Sequence, residues 1–151
     1  MITQLNKFII ENKNPFTYDD VEHWISGECI PFTVALNEIF PKYKIAVLND
    51  EFDIDDFDIE YNFNFIHALC YHPSNPKIII DAMGIRDIRS LYRYYHDINP
   101  VIDWDIPNSK FLIDNYAGKE FYSEESYEYD EDMYNEAKQW IKKRIEYYRV
   151  K

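Results

Sequence analysis

Two prolines bracket one apolar stretch of the chain and restrict the helix it can form. Pro31 fits only the first turn of a helix, because its ring removes a backbone donor and clashes with the preceding turn. Pro41 ends the same stretch. Between the two prolines, one helical face collects the apolar side chains Phe32, Ala35, Leu36 and Ile39. We therefore predict a helix over residues 28–40, with Cys29 at or just before its N-terminus.

Two apolar segments after this helix are typical of neighbouring β-strands. Residues 62–72 and residues 77–82 are rich in aliphatic and aromatic side chains, and residues 73–76 between them have the composition of a turn. Gly84 is predicted to end the second strand. Together these segments predict an antiparallel hairpin.

The remaining elements follow from the spacing of apolar residues and from capping residues. Thr17 is a candidate N-cap for a short turn over residues 19–21, and residues 99–108, a stretch that contains prolines and aspartates, are assigned to no helix or strand. Further strands are predicted at residues 44–48 and 111–113, and further helices at residues 2–9, 85–95 and 133–148. The pattern predicts a single α+β domain over residues 1–151, with N-terminal, central and C-terminal helices packed on a small antiparallel sheet.

Composition and charge exclude several classes of protein. The chain has 151 residues, of which 46% are hydrophobic, including 14 Tyr and 10 Phe, and such a chain can bury a core rather than stay disordered. Its 16 basic and 28 acidic residues give a net charge of −12, which repels a phosphate backbone, so no direct binding of nucleic acid is expected. The glycine-rich motifs that hold nucleotides are missing, and no cofactor site is predicted.

The chain also lacks the sequence features of exported and membrane proteins. Its first residues do not combine a basic segment with a long apolar core, as a signal peptide does. No run approaches the roughly 18 apolar residues of a membrane span. The two cysteines, Cys29 and Cys70, lie in different predicted elements and form no disulfide framework. We therefore expect a cytoplasmic protein with reduced thiols and no membrane partner.

Three residues occur in an order that favours thiol chemistry. Cys29 is predicted at a helix N-terminus, where a thiol ionises more easily and becomes a better nucleophile. His67 lies inside a predicted core strand, and Asp81 lies in the next strand across one short turn. A thiol triad needs a nucleophile, a base and an acid in such an arrangement, because the acid fixes the imidazole tautomer and the imidazole takes the thiol proton.

The order of these residues resembles the papain-like and transglutaminase-like superfamily of cysteine enzymes. Gly27, two residues before Cys29, and Phe32, three residues after it, also match the papain-like pattern. Papain-like enzymes have a glutamine six residues before the nucleophile, and His23 occupies that position here. The resemblance covers about residues 20–85.

The resemblance implies a papain-like core and a role for each matched residue. Cys29 would be the nucleophile, His67 the general base and Asp81 the residue that orients the base. His23 would donate a hydrogen bond to the oxyanion. The implied activity is that of a peptidase, amidase, deamidase or acyltransferase, which acts on a peptide or protein substrate and needs no cofactor.

The triad places a demand on the register of the hairpin. A two-residue turn at Ser74 and Asn75 would pair His67 with Ala82 and point Asp81 to the opposite face of the sheet. Bringing His67 and Asp81 together requires a turn with an odd number of residues or a β-bulge.

Less specific interpretations of the same residues stay open. Buried cysteines are common and inert, and His67 can equally be a core histidine with its hydrogen bonds satisfied. A metal site is not predicted, because His67 points to the opposite strand face from Cys70 and His72, and no second ligand pair has the spacing of a zinc site. The acidic stretch over residues 49–60 lacks the glycine of a calcium-binding hand and is predicted to be an exposed loop.

The acidic stretch also supports a second class of function, a non-catalytic binding protein. Small phage-type inhibitors imitate nucleic acid and occlude a basic partner protein, and a net charge of −12 suits that role. A second group of acidic residues lies at 120–132. The candidate partner-binding residues are Asp50, Glu51, Asp53, Asp55, Asp56, Asp58 and Glu60.

Overall fold

A five-stranded antiparallel sheet organises the protein. The computed structural model describes residues 16–50, 65–117 and 129–150, and within them it has five strands and six helices. The strands are β1 (Lys44–Asp50), β2 (Phe65–His72), β3 (Asn75–Asp81), β4 (Gly84–Asp87) and β5 (Pro100–Ile106). The helices are α1 (Tyr18–Ser26), α2 (Cys29–Ile39), α3 (Ile88–Tyr94), α4 (Ser109–Tyr116), α5 (Glu131–Lys143) and α6 (Ile145–Tyr148). The strand order is β4-β3-β2-β1-β5, which confirms the predicted α+β class and its antiparallel sheet.

Local sequence accounts for the two helices that precede the sheet. Thr17 and Asp20 form a capping box at the start of α1, in which each side chain accepts a hydrogen bond from the backbone N–H of the other. Helix α2 begins at Cys29, with Pro31 in its first turn, and ends before Pro41. The prediction that Cys29 begins this helix is therefore confirmed.

Helices cover both faces of the sheet. Helix α2 packs against β2 on one face, and its buried side chains, among them Phe32 and Leu36, join the larger core cluster. Helix α3 packs on β3 and β4, and its Leu91 belongs to a smaller cluster with Leu69 and Ile79 of the sheet. The strands therefore lie between two apolar layers, as buried central strands require.

The C-terminal helices form hydrogen bonds with the residue just before β1 and with the residue just after β3. Helix α5 stops at Arg144, and the short α6 that follows brings Tyr148 into the core, where it is completely buried. The Tyr148 hydroxyl donates to the carbonyl of Ala82 (2.9 Å) and accepts from the Trp140 indole (2.9 Å). Its backbone carbonyl accepts from the Tyr43 hydroxyl. Trp140 of α5 packs against Trp24 at the edge of the larger core cluster, with the two ring centroids 5.1 Å apart.

Several predicted elements differ from the structure. Residues 100–106, for which no strand was predicted, form the edge strand β5, and residues 109–116 form α4 instead of a strand. Gly84 begins β4, so the helix predicted over residues 85–95 is shortened to α3. Asn49 and Asp50 belong to β1 rather than to an exposed loop. The helix predicted at residues 2–9 lies outside the described residues.

Candidate active site

The hairpin of β2 and β3 brings His67 and Asp81 together. Cys70 pairs with Ile80, but the pairing shifts between Tyr71 and His72, and this irregularity supplies the register change that the triad demands. As a result, the two side chains meet: the His67 Nε2 atom lies 3.0 Å from the Asp81 Oδ2 atom.

The first residue of α2 places the thiol against the same strand. The Cys29 Sγ atom accepts a hydrogen bond from the Ala68 backbone N–H at 3.4 Å, so the thiol contacts the peptide that joins Ala68 to His67. The pairing of β2 with β3 begins at Cys70 and Ile80 and runs toward the turn, and the Ala68 amide lies on β2 before this paired region. The dipole of α2 favours negative charge on the sulfur at this position.

Asp81 accepts hydrogen bonds on both of its carboxylate oxygens. Oδ2 accepts from His67 and from the guanidinium of Arg86, and Oδ1 accepts from the Met83 backbone N–H at 3.0 Å. Burial acts to raise the pKa of this carboxyl, but the Arg86 charge and the His67 contact outweigh it and hold the pKa well below its usual range. Asp81 is therefore a carboxylate at every pH at which an enzyme normally works.

An ionised Asp81 determines which nitrogen of His67 carries the proton. A carboxylate only accepts hydrogen bonds, so the neutral His67 ring holds its proton on Nε2 and leaves a lone pair on Nδ1. Among the described residues, no hydrogen-bond partner contacts the buried Nδ1 atom. The Nδ1 lone pair of His67 is thus available to accept a hydrogen bond or a proton.

The site is enclosed, with an aromatic residue beside it. Cys29, His67 and Asp81 are only 2%, 1% and 2% exposed. The ring of Tyr95, at the end of α3, lies 6.2 Å from the His67 ring, centroid to centroid. Burial, and next the charges of Cys29 and Asp81, raise the pKa of the Tyr95 hydroxyl, which therefore stays protonated and able to donate a hydrogen bond.

Sequence reasoning missed Arg86 and Tyr95. A signal for Arg86 was available, because a buried carboxylate needs a cationic or hydrogen-bonding partner, and Arg86 is the next basic residue after Asp81. It comes within reach because Asp81 and Gly84 pair across the tight turn between β3 and β4. For Tyr95 the sequence carries no comparable signal, since its position depends on how α3 packs.

His23 lies on the surface, in the last turn of α1. Its side chain is exposed, and its ring lies 4.0 Å from the ring of Trp24. Its carbonyl accepts hydrogen bonds from the backbone N–H groups of Gly27 and Glu28, which close the turn that leads to Cys29. The contribution of the His23 side chain to an oxyanion site therefore stays a prediction.

The other candidate residues are spread over different parts of the fold. Cys70 is completely buried, and burial, then the Asp81 charge, raise the pKa of its thiol. Asp50 is also buried, where it accepts from the Asn99 backbone N–H at 3.0 Å. Its predicted exposure was wrong, because the chain continues as β1 through this residue. Within the described ranges no three potential ligands cluster to hold a metal. The predicted partner-binding residues outside the described ranges are Glu51, Asp53, Asp55, Asp56, Asp58 and Glu60.

An open cleft of about 760 Å³ lies at a distance from the triad. Its lining includes Lys44, Tyr71 and Trp104. Lys44 and Tyr71 pair at one end of β1 and β2, whereas His67 pairs with Leu48 near the other end. The cleft therefore belongs to a separate part of the surface.

Comparisons with known proteins give no information on the chemistry of the candidate active site. In the part of the chain that the structure describes, no helix has both the length and the apolar character needed to cross a membrane. No protein-family model matches the chain, and no match was found among the curated proteins or among the solved structures.

Proposed function

We propose that this protein is a papain-like thiol enzyme that transfers an acyl group from a peptide or protein substrate through Cys29. One observation carries the proposal: His67 is held through Nε2 by an ionised Asp81, while the Cys29 sulfur lies against the peptide that follows His67. The base and the orienting acid are then in contact, and the candidate nucleophile lies on the backbone of the same strand, at the residue next to the base in sequence, as the proposed triad chemistry uses them.

The proposed reaction uses the lone pair on His67 Nδ1. The thiol proton of Cys29 moves to Nδ1, and the sulfur attacks the substrate carbonyl carbon, so the C=O electron pair moves to the oxygen. When that pair returns, the C–N bond breaks and the amine leaves with the proton from Nδ1. Water, or an acceptor amine, then attacks the thioester carbonyl and gives its proton to Nδ1; the C–S bond breaks, and the sulfur leaves as a thiolate that recovers the proton from Nδ1.

The reaction class within this scheme depends on which amine leaves the substrate and on which acceptor attacks the thioester. Water as acceptor gives a peptidase or amidase, ammonia as leaving group gives a deamidase, and an amine as acceptor gives an acyltransferase. Asp81 acts in all of them through its hydrogen bond to His67, which favours the tautomer and stabilises the imidazolium.

The two cysteines provide an internal comparison that tests the proposal. At pH 6, iodoacetamide should modify Cys29 of the folded protein about tenfold faster than it modifies Cys29 in urea, because an ordinary thiol with a pKa near ~8.5 is almost fully protonated there. Cys70 should stay unmodified in the folded protein, since burial raises the pKa of its thiol. Peptide mass spectrometry distinguishes the two sites, and Cys29→Ala is the control that removes the signal.

Slow modification of both cysteines in the folded protein would contradict the proposal. In that case Cys29 is a core thiol, and the acidic binding protein that occludes a basic partner becomes the better interpretation of the net charge of −12.

The predicted role of His23 can be tested against the residue that papain-like enzymes have in its place. We expect His23→Ala to slow acylation of Cys29 by p-nitrophenyl acetate by about 10²-fold, because the oxyanion of the intermediate loses a donor. His23→Gln should keep most of the rate, because its amide can donate instead. The burst of nitrophenolate measures acylation directly. If His23→Ala acylates at the wild-type rate, another group holds the oxyanion.

A further inference from the structure

Arg86 contacts the same oxygen of Asp81 as the proposed catalytic base does. Its guanidinium donates to Oδ2, which also accepts from His67 Nε2, and only 14% of the Arg86 side chain is exposed. The residue reaches Asp81 from β4, where Arg86 pairs with Ile79, and this register puts it on the same face of the sheet as Asp81. The contact is therefore built into the sheet.

The titratable or charged groups around Asp81 come from four elements. Among the described residues they are His67 and Cys70 from β2, Arg86 from β4, Tyr95 at the end of α3 and Tyr148 from α6, and the Cys29 thiol of α2 in turn interacts with Tyr95. Burial raises the pKa values of the Cys70 thiol and of both tyrosines, so these three groups stay uncharged near neutral pH. Arg86 is the one fixed cation in this set.

The charge balance of the site follows from this set. The reactive form of a thiol triad contains a thiolate, an imidazolium and a carboxylate, which together carry one negative charge. A net charge is costly in a buried site and is relieved by uptake of a proton. The guanidinium of Arg86 makes the reactive form neutral and removes that cost.

Resting on the function proposed above, we propose that Arg86 is a positioning residue, which neutralises the reactive ion-pair form of Cys29, His67 and Asp81 and so keeps the thiol reactive in mildly acidic solution. It acts through Asp81 and does not itself contact the reacting atoms.

This role is tested by the rate at which iodoacetamide modifies Cys29, measured from pH 4 to pH 9. The acid limb of this pH–rate profile is the range in which the rate falls because the reactive form takes up a proton. In Arg86→Gln the reactive form carries an uncompensated negative charge and takes up a proton more easily. The acid limb should therefore move upward by about one to three pH units, the usual effect of losing an opposite charge at contact distance. Relative to wild type, the variant should lose at least about tenfold more rate at pH 5 than at pH 8. A merely structural role of Arg86 would lower the rate by the same factor at both values.

Matched variants separate charge from packing. Arg86→Lys keeps the cation and should leave the acid limb near its wild-type position. Arg89→Gln removes an exposed arginine that pairs with Asp87, the last residue of β4, and it should leave the limb unchanged. Asp81→Asn/Arg86→Gln removes both charges and leaves no buried charge unpaired, so it can be measured even if Arg86→Gln does not fold. Its reactive form is again neutral, and its acid limb should return toward the wild-type position.

The outcomes distinguish the inference from the proposed function. If wild-type Cys29 reacts no faster in the folded protein than in urea, the proposed function fails and the inference falls with it. If wild-type Cys29 is reactive but the acid limb of Arg86→Gln coincides with that of wild type, only the inference is overturned. An acid limb of the double variant that is displaced as far as that of Arg86→Gln would overturn it as well.

Discussion

Replacing His67 with Gln is expected to reduce turnover of p-nitrophenyl acetate at pH 6 by about 10²–10⁴-fold, the range that general acid–base catalysis contributes. In the proposed reaction the base is needed twice, first to take the proton of the Cys29 thiol and then to activate the water that hydrolyses the thioester. Gln fills a similar volume but cannot take up a proton, so the fold should be retained while the chemistry is lost.

His72 provides the matched control for this experiment. It lies on the same strand as His67 and is half-buried, but its ring accepts a hydrogen bond from the Ser74 backbone N–H in the turn. His72→Gln should therefore leave turnover of the ester within about twofold, as expected for a change near the surface. Equal losses in the two variants, measured as steady-state release of nitrophenolate, would contradict the role of His67 as base.

Replacing Tyr148 with Ala is expected to lower the free energy of unfolding by about 3–5 kcal/mol, the usual range for removing a large buried aromatic side chain. The ring is completely buried and lies 5.7 Å from the Phe32 ring, centroid to centroid. Its loss also leaves the Ala82 carbonyl and the Trp140 indole without the hydroxyl that joins them. Urea unfolding followed by tryptophan fluorescence measures the change.

Two variants resolve the contributions to this loss. Tyr147→Ala removes a neighbouring ring that is 45% exposed and should cost within about 1 kcal/mol. Tyr148→Phe keeps the ring but removes the hydroxyl that pairs with the buried Ala82 carbonyl and the half-buried Trp140 indole, which should cost about 1–3 kcal/mol. If Tyr148→Ala is no more destabilising than Tyr147→Ala, α6 does not hold the core together as the contacts indicate.

The parts of the fold that the sequence predicts well are those with strong local signals. Pro31 and Pro41 restrict α2, and the Thr17 capping box starts α1, because each acts through its own backbone or a hydrogen bond three residues away. The hairpin of β2 and β3 is likewise bounded by the turn that begins at Pro73. The meeting of His67 with Asp81 depended on an irregularity in the ladder, which the sequence leaves open.

The errors lie where tertiary contacts outweigh local composition. Strand β5 contains two aspartates and begins with Pro100, but an edge strand tolerates these residues because one side of it needs no partner. The apolar residues 111–113 resemble a strand, yet Asn108 caps a helix by accepting from the Phe111 backbone N–H at 2.8 Å. Leu112 and Tyr116, four residues apart, then share the buried face of α4.

The hydrogen bonds of α6 also bear on the synthesis of the protein. The Tyr148 hydroxyl binds the carbonyl of Ala82, the residue directly after Asp81, and the Tyr43 hydroxyl binds the Tyr148 carbonyl across more than a hundred residues of sequence. Synthesis proceeds from the N-terminus, so the residues around Asp81 leave the ribosome before those of α6. The strand that carries Asp81 therefore cannot gain these contacts until residues 145–150 have left the ribosome as well.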